Sequence, residues 1–255
     1  MRAARPILIS VLFLATATVA RADFIVVPNA LQNVEGNLSN AFPFNTGTLP
    51  SQRYQQVYAA SNFGSLDVLR ITVIAFRPGP NDAPFMVTLP DIQINLSTTT
   101  RQPDDLSPLF LSNVGADDAV VFARGSLSLS SAVVGPAQGP KDFDVVINLQ
   151  NPFIYAPAKG NLLLDVRNFQ GGDLGFSLDA EATDGDGVSR VFTNGSTPGG
   201  VDSPIGATDA ISTLGLVTRF TVAPVASVVP EPSTFTLLTT GLLTPLILLV
   251  VRRLV

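Results

Sequence analysis

Histidine, cysteine and tryptophan are all missing from this 255-residue chain, and lysine and tyrosine are scarce. Without histidine and cysteine, Ser-His-Asp and Cys-His nucleophilic sites are impossible, as are His-ligated zinc sites. Without cysteine there is no disulfide, so an exported domain of this sequence must rely on its core. The chemistry that remains belongs to carboxylates and lysine. Lys141 and Lys159 are the only lysines, and both fall in polar turn segments as solvated side chains. Paired carboxylates can cleave glycosides, but spacing along a chain does not reveal their separation in space. Tryptophan is absent, and Tyr54, Tyr58 and Tyr155 are the only tyrosines. A large stacking platform for sugars is therefore missing, and any sugar contact would rest on Asn, Asp and loop groups. Residues 23–229 carry ten basic and nineteen acidic side chains, a net charge of −9. Such a body repels phosphates, so no nucleic-acid partner is expected.

The two ends differ from the body. At the start, "MRAARPILISVLFLATATVARAD" places Arg2 and Arg5 before an uncharged apolar run from Ile7 to Ala20. Ala20-Arg21-Ala22 then forms an A-x-A site. This three-part order predicts a signal peptide over 1–22, cleaved after Ala22 to leave Asp23 as the new N-terminus. At the other end, Thr234 to Val251 is free of charge and is followed by Arg252 and Arg253. As a helix this stretch spans roughly 27 Å, close to a bilayer core. Pro245 lowers its hydrophobicity without forbidding insertion. The two arginines stay on the cytoplasmic side, which puts the body outside the cytoplasm.

In between, helical periodicity is nearly absent and alternation of period two recurs. "FDVVINL" sets Phe143, Val145, Ile147 and Leu149 against Asp144 and Asn148. "DIQINLS" sets Ile92, Ile94 and Leu96 against Gln93 and Asn95, and "GSLSLSS" sets Leu127 and Leu129 against serines. "NLLLDVRN" sets Leu162, Leu164 and Val166 against Asp165 and Arg167, and "LGLVTRFTV" sets Leu216, Phe220 and Val222 against Arg219. These are half-buried strands of antiparallel sheets. Further strands are expected at 24–27, 54–60, 67–76, 84–90, 119–124, 174–181 and 188–193. Turns are expected at "RPGPNDAP", "RQPDDLSP", "GPAQGP", "NPFIYAPAKGN", "NFQGGD" and "DGDG". The predicted fold is all-β: one antiparallel, jelly-roll-like β-sandwich over 23–222, with a linker at 223–229. Residues 28–52 and 194–210 read as loosely ordered.

The densest acidic run, "DAEATDGDG", holds Asp179, Glu181, Asp184 and Asp186. Carboxylates separated by glycines can ligate calcium, but the EF-hand spacing is not met. The preferred reading is a tight hairpin in which the Asp-Gly steps supply positive φ. "GADDAV" over 115–120 is a weaker cluster of the same kind. No cofactor is expected. Asn37, Asn95 and Asn194 lie in N-x-S/T sequons, which matter only in a host that glycosylates them.

Val229-Pro230-Glu231-Pro232-Ser233, then the apolar segment, then Arg252-Arg253, closely resembles the PEP-CTERM sorting signal of bacterial exported proteins. The resemblance spans residues 230–255, with the membrane helix at 234–251. It implies recognition of Pro230, Glu231 and Pro232 by an exosortase in a Gram-negative bacterium that makes exopolysaccharide. It also implies a transient stay in the inner membrane, then the cell surface or extracellular matrix. "RYQQVY", "KDFDVVINL" and "NLLLDVRNF" resemble uncharacterised extracellular bodies found with such tails, which implies no known activity. The expectation is a non-catalytic exported surface or matrix protein, with exopolysaccharide as a possible partner. The alternatives are a carbohydrate-binding module and, behind it, a carboxylate-dependent glycosidase.

Overall fold

Period-two segments become strands in the computed structural model, which describes residues 23–225 apart from 65–67, 138 and 208–211. In chain order these are β1 (Asp23–Val27), β2 (Leu38–Asn40), β3 (Gln52–Tyr58), β4 (Leu69–Phe76), β5 (Phe85–Thr99) and β6 (Ala119–Ser131). They continue as β7 (Val145–Tyr155), β8 (Asn161–Asn168), β9 (Leu178–Glu181), β10 (Val188–Phe192), β11 (Gly215–Leu216) and β12 (Thr218–Pro224). All pairings are antiparallel. They form a four-stranded sheet β1-β12-β4-β7, a five-stranded sheet β10-β3-β8-β5-β6 and a small sheet β11-β9-β2. The helices among the described residues are 3-10 turns of three or four residues. The fold is therefore all-β and antiparallel, as the alternation dictates. The β domain runs to Pro224, where the chain divides into two units.

One hydrophobic core takes side chains from both large sheets. Ile71, Ile74, Phe76, Ile147, Phe220 and Val222 come from the four-stranded sheet, and Ile92, Ile94, Leu96, Leu162, Leu164 and Val166 from the five-stranded one. Alternation places these residues on one face within each strand, except in β4, where the register shift between Ile71 and Val73 lets Ile71 and Ile74 both reach the core. Burying a side chain of this size contributes about 1.5–3 kcal/mol, which is how a domain without disulfides holds together.

Several expectations are corrected. Two strands were expected at 84–90 and 91–97, but β5 runs unbroken through Pro90. A proline has no N–H for the ladder. The pairing with β6 skips from Leu89 to Ile92, and pairing with β8 starts only at Ile92, so no partner awaits that N–H. Likewise 119–124 and 125–131 are one strand, β6. The turn expected over 151–161 begins five residues later, because β7 continues through Pro152 to Tyr155. That strand is the sheet edge, and its pairing with β4 is irregular there. "LGLVTRFTV" is two strands in two sheets: the Val217 N–H donates to the Asp179 carbonyl (3.0 Å) while the chain crosses over. Residues 28–52 hold β2 and bury Phe44 and Asn45. Their polar composition hides this order, because the Asn45 amide bonds the Phe176 carbonyl at 2.8 Å.

"DGDG" is a turn with positive φ at Gly185 and Gly187, but it closes no hairpin. Strand β9 pairs with β11 and β2, whereas β10 pairs with β3, so the segment is a crossing between sheets. Finally, the five-stranded sheet is covered on both faces. Leu106 and Phe110, from the segment after β5, pack on Val57, Leu163 and Val191.

Candidate functional site

Outside the four-stranded sheet lies a cleft of about 520 Å³ lined by Gln32, Asn33, Arg77, Pro136, Pro140, Lys141, Asp142, Phe143 and Arg219. Strand geometry positions the two arginines. Arg219 alternates with core residues Phe220 and Val222 and so points outward, opposite Ala75 of β4 and Val26 of β1. Arg77 follows directly on β4. The loop between β6 and β7 supplies the wall. It folds back through the Asp142 N–H to the Val134 carbonyl (2.8 Å), and Lys141 Nζ donates to the Pro136 carbonyl (2.7 Å). Gly135 makes this possible. Its φ is +145°, and a Cβ there would stand 2.9 Å from Lys141 Cα. Phe143, expected on the core face of β7, instead precedes that strand and turns to the cleft. Its ring centroid is 4.8 Å from the Arg77 guanidinium and 5.1 Å from that of Arg219.

The two arginines differ in their commitments. Arg77 and Asp179 form an ion pair at 2.6 Å with both side chains 1% exposed. Arg77 Nε donates to the same carboxylate oxygen (2.7 Å) and Nη2 to the Val34 carbonyl (2.7 Å). The Gly36 N–H bonds the other Asp179 oxygen at 3.0 Å. Arg219 has no carboxylate within ion-pair distance among the described residues. Its Nη2 donates to the Phe143 carbonyl (2.9 Å), and its guanidinium lies 4.9 Å from the Phe24 ring. Its Nε is buried without a hydrogen-bond partner. Burial lowers the Arg219 pKa from the usual guanidinium value, and the field of Asp142 partly opposes this. With Arg77 neutralised by Asp179, the cleft carries Arg219 and Lys141 against Asp142, about one net positive charge.

A second polar cluster lies under the segment that covers the five-stranded sheet. Arg53 grips Asp165 with two nitrogens, at 2.5 and 3.1 Å. Gln55 donates to Asp165 (2.9 Å) and to the Phe110 carbonyl (3.2 Å). Asn113 donates to Gln55 (2.9 Å) and to the Ser107 carbonyl (2.9 Å), and accepts from the Ser107 N–H (2.9 Å). The Arg53 guanidinium also sits 4.7 Å from the Phe110 ring. The Gln55–Phe110 and Asn113–Gln55 bonds and the Arg53–Phe110 contact tie the covering segment to the sheet. On the same side the Asn95 amide donates to both oxygens of Asp118 (3.0 and 3.2 Å), whose pKa is raised mainly by burial.

The four carboxylates of "DAEATDGDG" do not converge. Asp179 belongs to Arg77. Glu181 accepts from the Asn37 N–H (3.0 Å) and amide (2.7 Å) and from the Thr183 hydroxyl. Asp184 is exposed in the turn. Asp186 accepts from the Val188 N–H (2.9 Å) and has one buried oxygen without a partner. Burial, reinforced by the fields of Asp104 and Glu181, pushes Asp186 up to about 6. Among the described residues no group of three or more His, Cys, Asp or Glu side chains is arranged to hold a metal ion. All three tyrosines are fully buried, so none offers a face to a sugar, and burial pushes the Tyr54 phenol up to about 12. Asn95 is buried, leaving its sequon no room for a glycan.

Lys141, read as a merely solvated turn residue, is a wall of the cleft. Arg219 appeared in the sequence only as the polar side of a strand, and no local signal announced the cleft. The sorting residues Pro230, Glu231 and Pro232, the cleavage residues Ala20 and Ala22, and the flanking Arg252 and Arg253 lie outside the described residues. So does the expected membrane helix at 234–251; among the described residues no helix is long and apolar enough to cross a membrane. Compared with known proteins, the chain matches no family model and no curated protein.

Proposed function

We propose that the chain is an exported, non-catalytic protein of the cell surface or extracellular matrix. In this reading residues 1–22 direct export, and residues 23–222 form one jelly-roll-like sandwich. Residues 230–255, joined by the linker 223–229, address the protein to an exosortase in an exopolysaccharide-producing Gram-negative bacterium. The observation that carries the reading is the order of segments in the sequence: Pro230-Glu231-Pro232, then uncharged Thr234 to Val251, then Arg252-Arg253. The prolines hold the backbone extended and present one carboxylate beside the bilayer. Drawing each terminal arginine through the membrane would cost several kcal/mol, which keeps the tail threaded. The non-catalytic reading draws on the carboxylates: Asp165, Asp179 and Glu181 are each bound to internal partners.

The test is expression with a mass measurement of both termini and cell fractionation, in a host with an exosortase. The wild type is expected to lose Thr234–Val255 and leave the inner membrane. Glu231→Ala is expected to remain full-length and membrane-bound with its β domain still folded. If both remain full-length in the inner membrane, the tail is a permanent anchor and the sorting reading fails.

A second reading, a carbohydrate-binding module on the cell surface, draws support from the cleft. There the exposed amides of Gln32 and Asn33 stand beside a guanidinium that has no carboxylate. With the tyrosines buried, binding would rest on polar groups rather than on stacking.

A further inference from the structure

The cleft beside Arg219 has a composition that selects among ligands. A half-buried guanidinium with an unbonded Nε and no carboxylate partner is poorly satisfied on its own. The Phe24 and Phe143 rings, 4.9 and 5.1 Å away, offset part of its desolvation by cation–π contact. They also fix its plane. A fixed guanidinium fork matches the planar pair of oxygens of a carboxylate, as it also matches a phosphate. Lys141 stands on the same wall with one donor on Pro136 and two further N–H groups.

We propose that this cleft binds the carboxylate of an acidic sugar, a hexuronate unit of a polysaccharide, with Arg219 as the carboxylate's partner and Lys141 as a second cation. Three features favour such a sugar over other anions. Gln32 and Asn33 bring amide donors and acceptors of the kind that read hydroxyl groups. The volume of about 520 Å³ is that of a small-molecule site and far exceeds a lone inorganic anion. Asp142 shares the cleft and reduces its charge to about one positive unit, which suits a monoanionic carboxylate and disfavours a dianionic phosphate. This inference rests on the sugar-binding reading and is independent of the sorting one.

The test is calorimetric titration of the full chain in detergent micelles at low salt, with tetragalacturonate as the probe. Controls are its methyl ester, a tetraglutamate peptide and sodium sulfate. Tetragalacturonate is expected to bind, and the uncharged methyl ester at least about tenfold more weakly, the scale of one lost charge-assisted hydrogen bond. Arg219→Gln is expected to lose about tenfold as well. Lys141→Gln, at the accessible rim where folding is not at stake, is expected to lose about threefold. Affinity should fall as salt rises. Equal binding of the methyl ester overturns the acidic-sugar inference while leaving sugar binding in place. Equal binding of tetraglutamate or sulfate overturns it by removing the selectivity for a sugar. No binding of either sugar overturns both readings. Unchanged affinity in both Arg219→Gln and Lys141→Gln places the ligand elsewhere and overturns the assignment.

Discussion

The polar cluster under the covering segment and the polar cluster in the cleft are built from the same residue types but closed in opposite ways. Under the cover, the carboxylate of Asp165 is central, and Arg53 and Gln55 point at it. Arg167 stands farther off, at 3.9 Å. In the cleft, Arg77 is closed by Asp179, but Arg219 has no acid within ion-pair distance among the described residues. A buried charge that has its partner serves the fold, since removing one member leaves the other stranded. A guanidinium without an acid at the edge of a cavity can take an anion from outside, the role proposed for Arg219. Nothing in either composition distinguishes the two, nor does an unbonded donor, since Arg167 Nε is buried without a partner as Arg219 Nε is; what does is whether an acid lies within ion-pair distance of the guanidinium.

The largest expected effect lies under the cover. Asp165→Ala leaves the Arg53 guanidinium and the Gln55 amide without their acceptor. It should destabilise the domain by about 3 kcal/mol, read as a lowered urea midpoint at unchanged slope. A loss below about 1 kcal/mol would mean that the cluster is no more structural than an exposed pair.

A smaller effect is expected in the crossing between sheets. The folded-state pKa of Asp186, about 6, lies above its unfolded value, so the native state holds the extra proton. Stability associated with this group is present below the unfolded pKa, near 4, and declines as pH rises through about 6. Since the residue is only half-buried, solvent screening reduces the effect to about 1 kcal/mol. Asp186→Asn should flatten the stability profile between pH 4 and 6. A profile that keeps its slope in the variant would assign the titration to another group.

How far the sequence reveals these regions follows from the length scale of the forces. The core faces of β5, β6, β8 and β12 were legible because alternation is local: Ile92, Ile94, Leu96, Phe220 and Val222 report their burial within a few residues. The covered face of the five-stranded sheet was not. Asp165 looks solvated in "NLLLDVRN", and only a segment some fifty residues away makes it interior. Phe110 gave a weak hint, an aromatic in a stretch otherwise rich in turn residues. The cleft was still less legible, since it gathers Gln32, Asn33, Arg77, Pro136, Pro140 to Phe143 and Arg219 from separate stretches. The crossing at Val217 was hidden for a related reason: unbroken alternation says nothing about which sheet a strand joins. The terminal segments are the reverse case, because their order along the chain carries the signal.

The smallest expected change in stability is that of Arg219→Gln, within about 0.5 kcal/mol, because Arg219 closes no ion pair. That makes the ligand-induced thermal shift the most direct measurement of the difference between the two clusters. It is best followed on the full chain in detergent micelles, with and without tetragalacturonate at about a hundred times its dissociation constant. Linkage gives about 2.7 kcal/mol at that concentration, or about 5 °C or more for a domain of this size. The account predicts that wild type and Asp165→Ala both gain this shift, the latter from a lower starting Tm. Arg219→Gln should melt where the wild type does and gain only about half as much, about 1.4 kcal/mol, since a tenfold weaker ligand then stands at about ten times its dissociation constant. A full shift in Arg219→Gln, or its loss in Asp165→Ala at a temperature where that variant is folded, would contradict the division between a cluster that holds the fold and a cleft that holds a ligand.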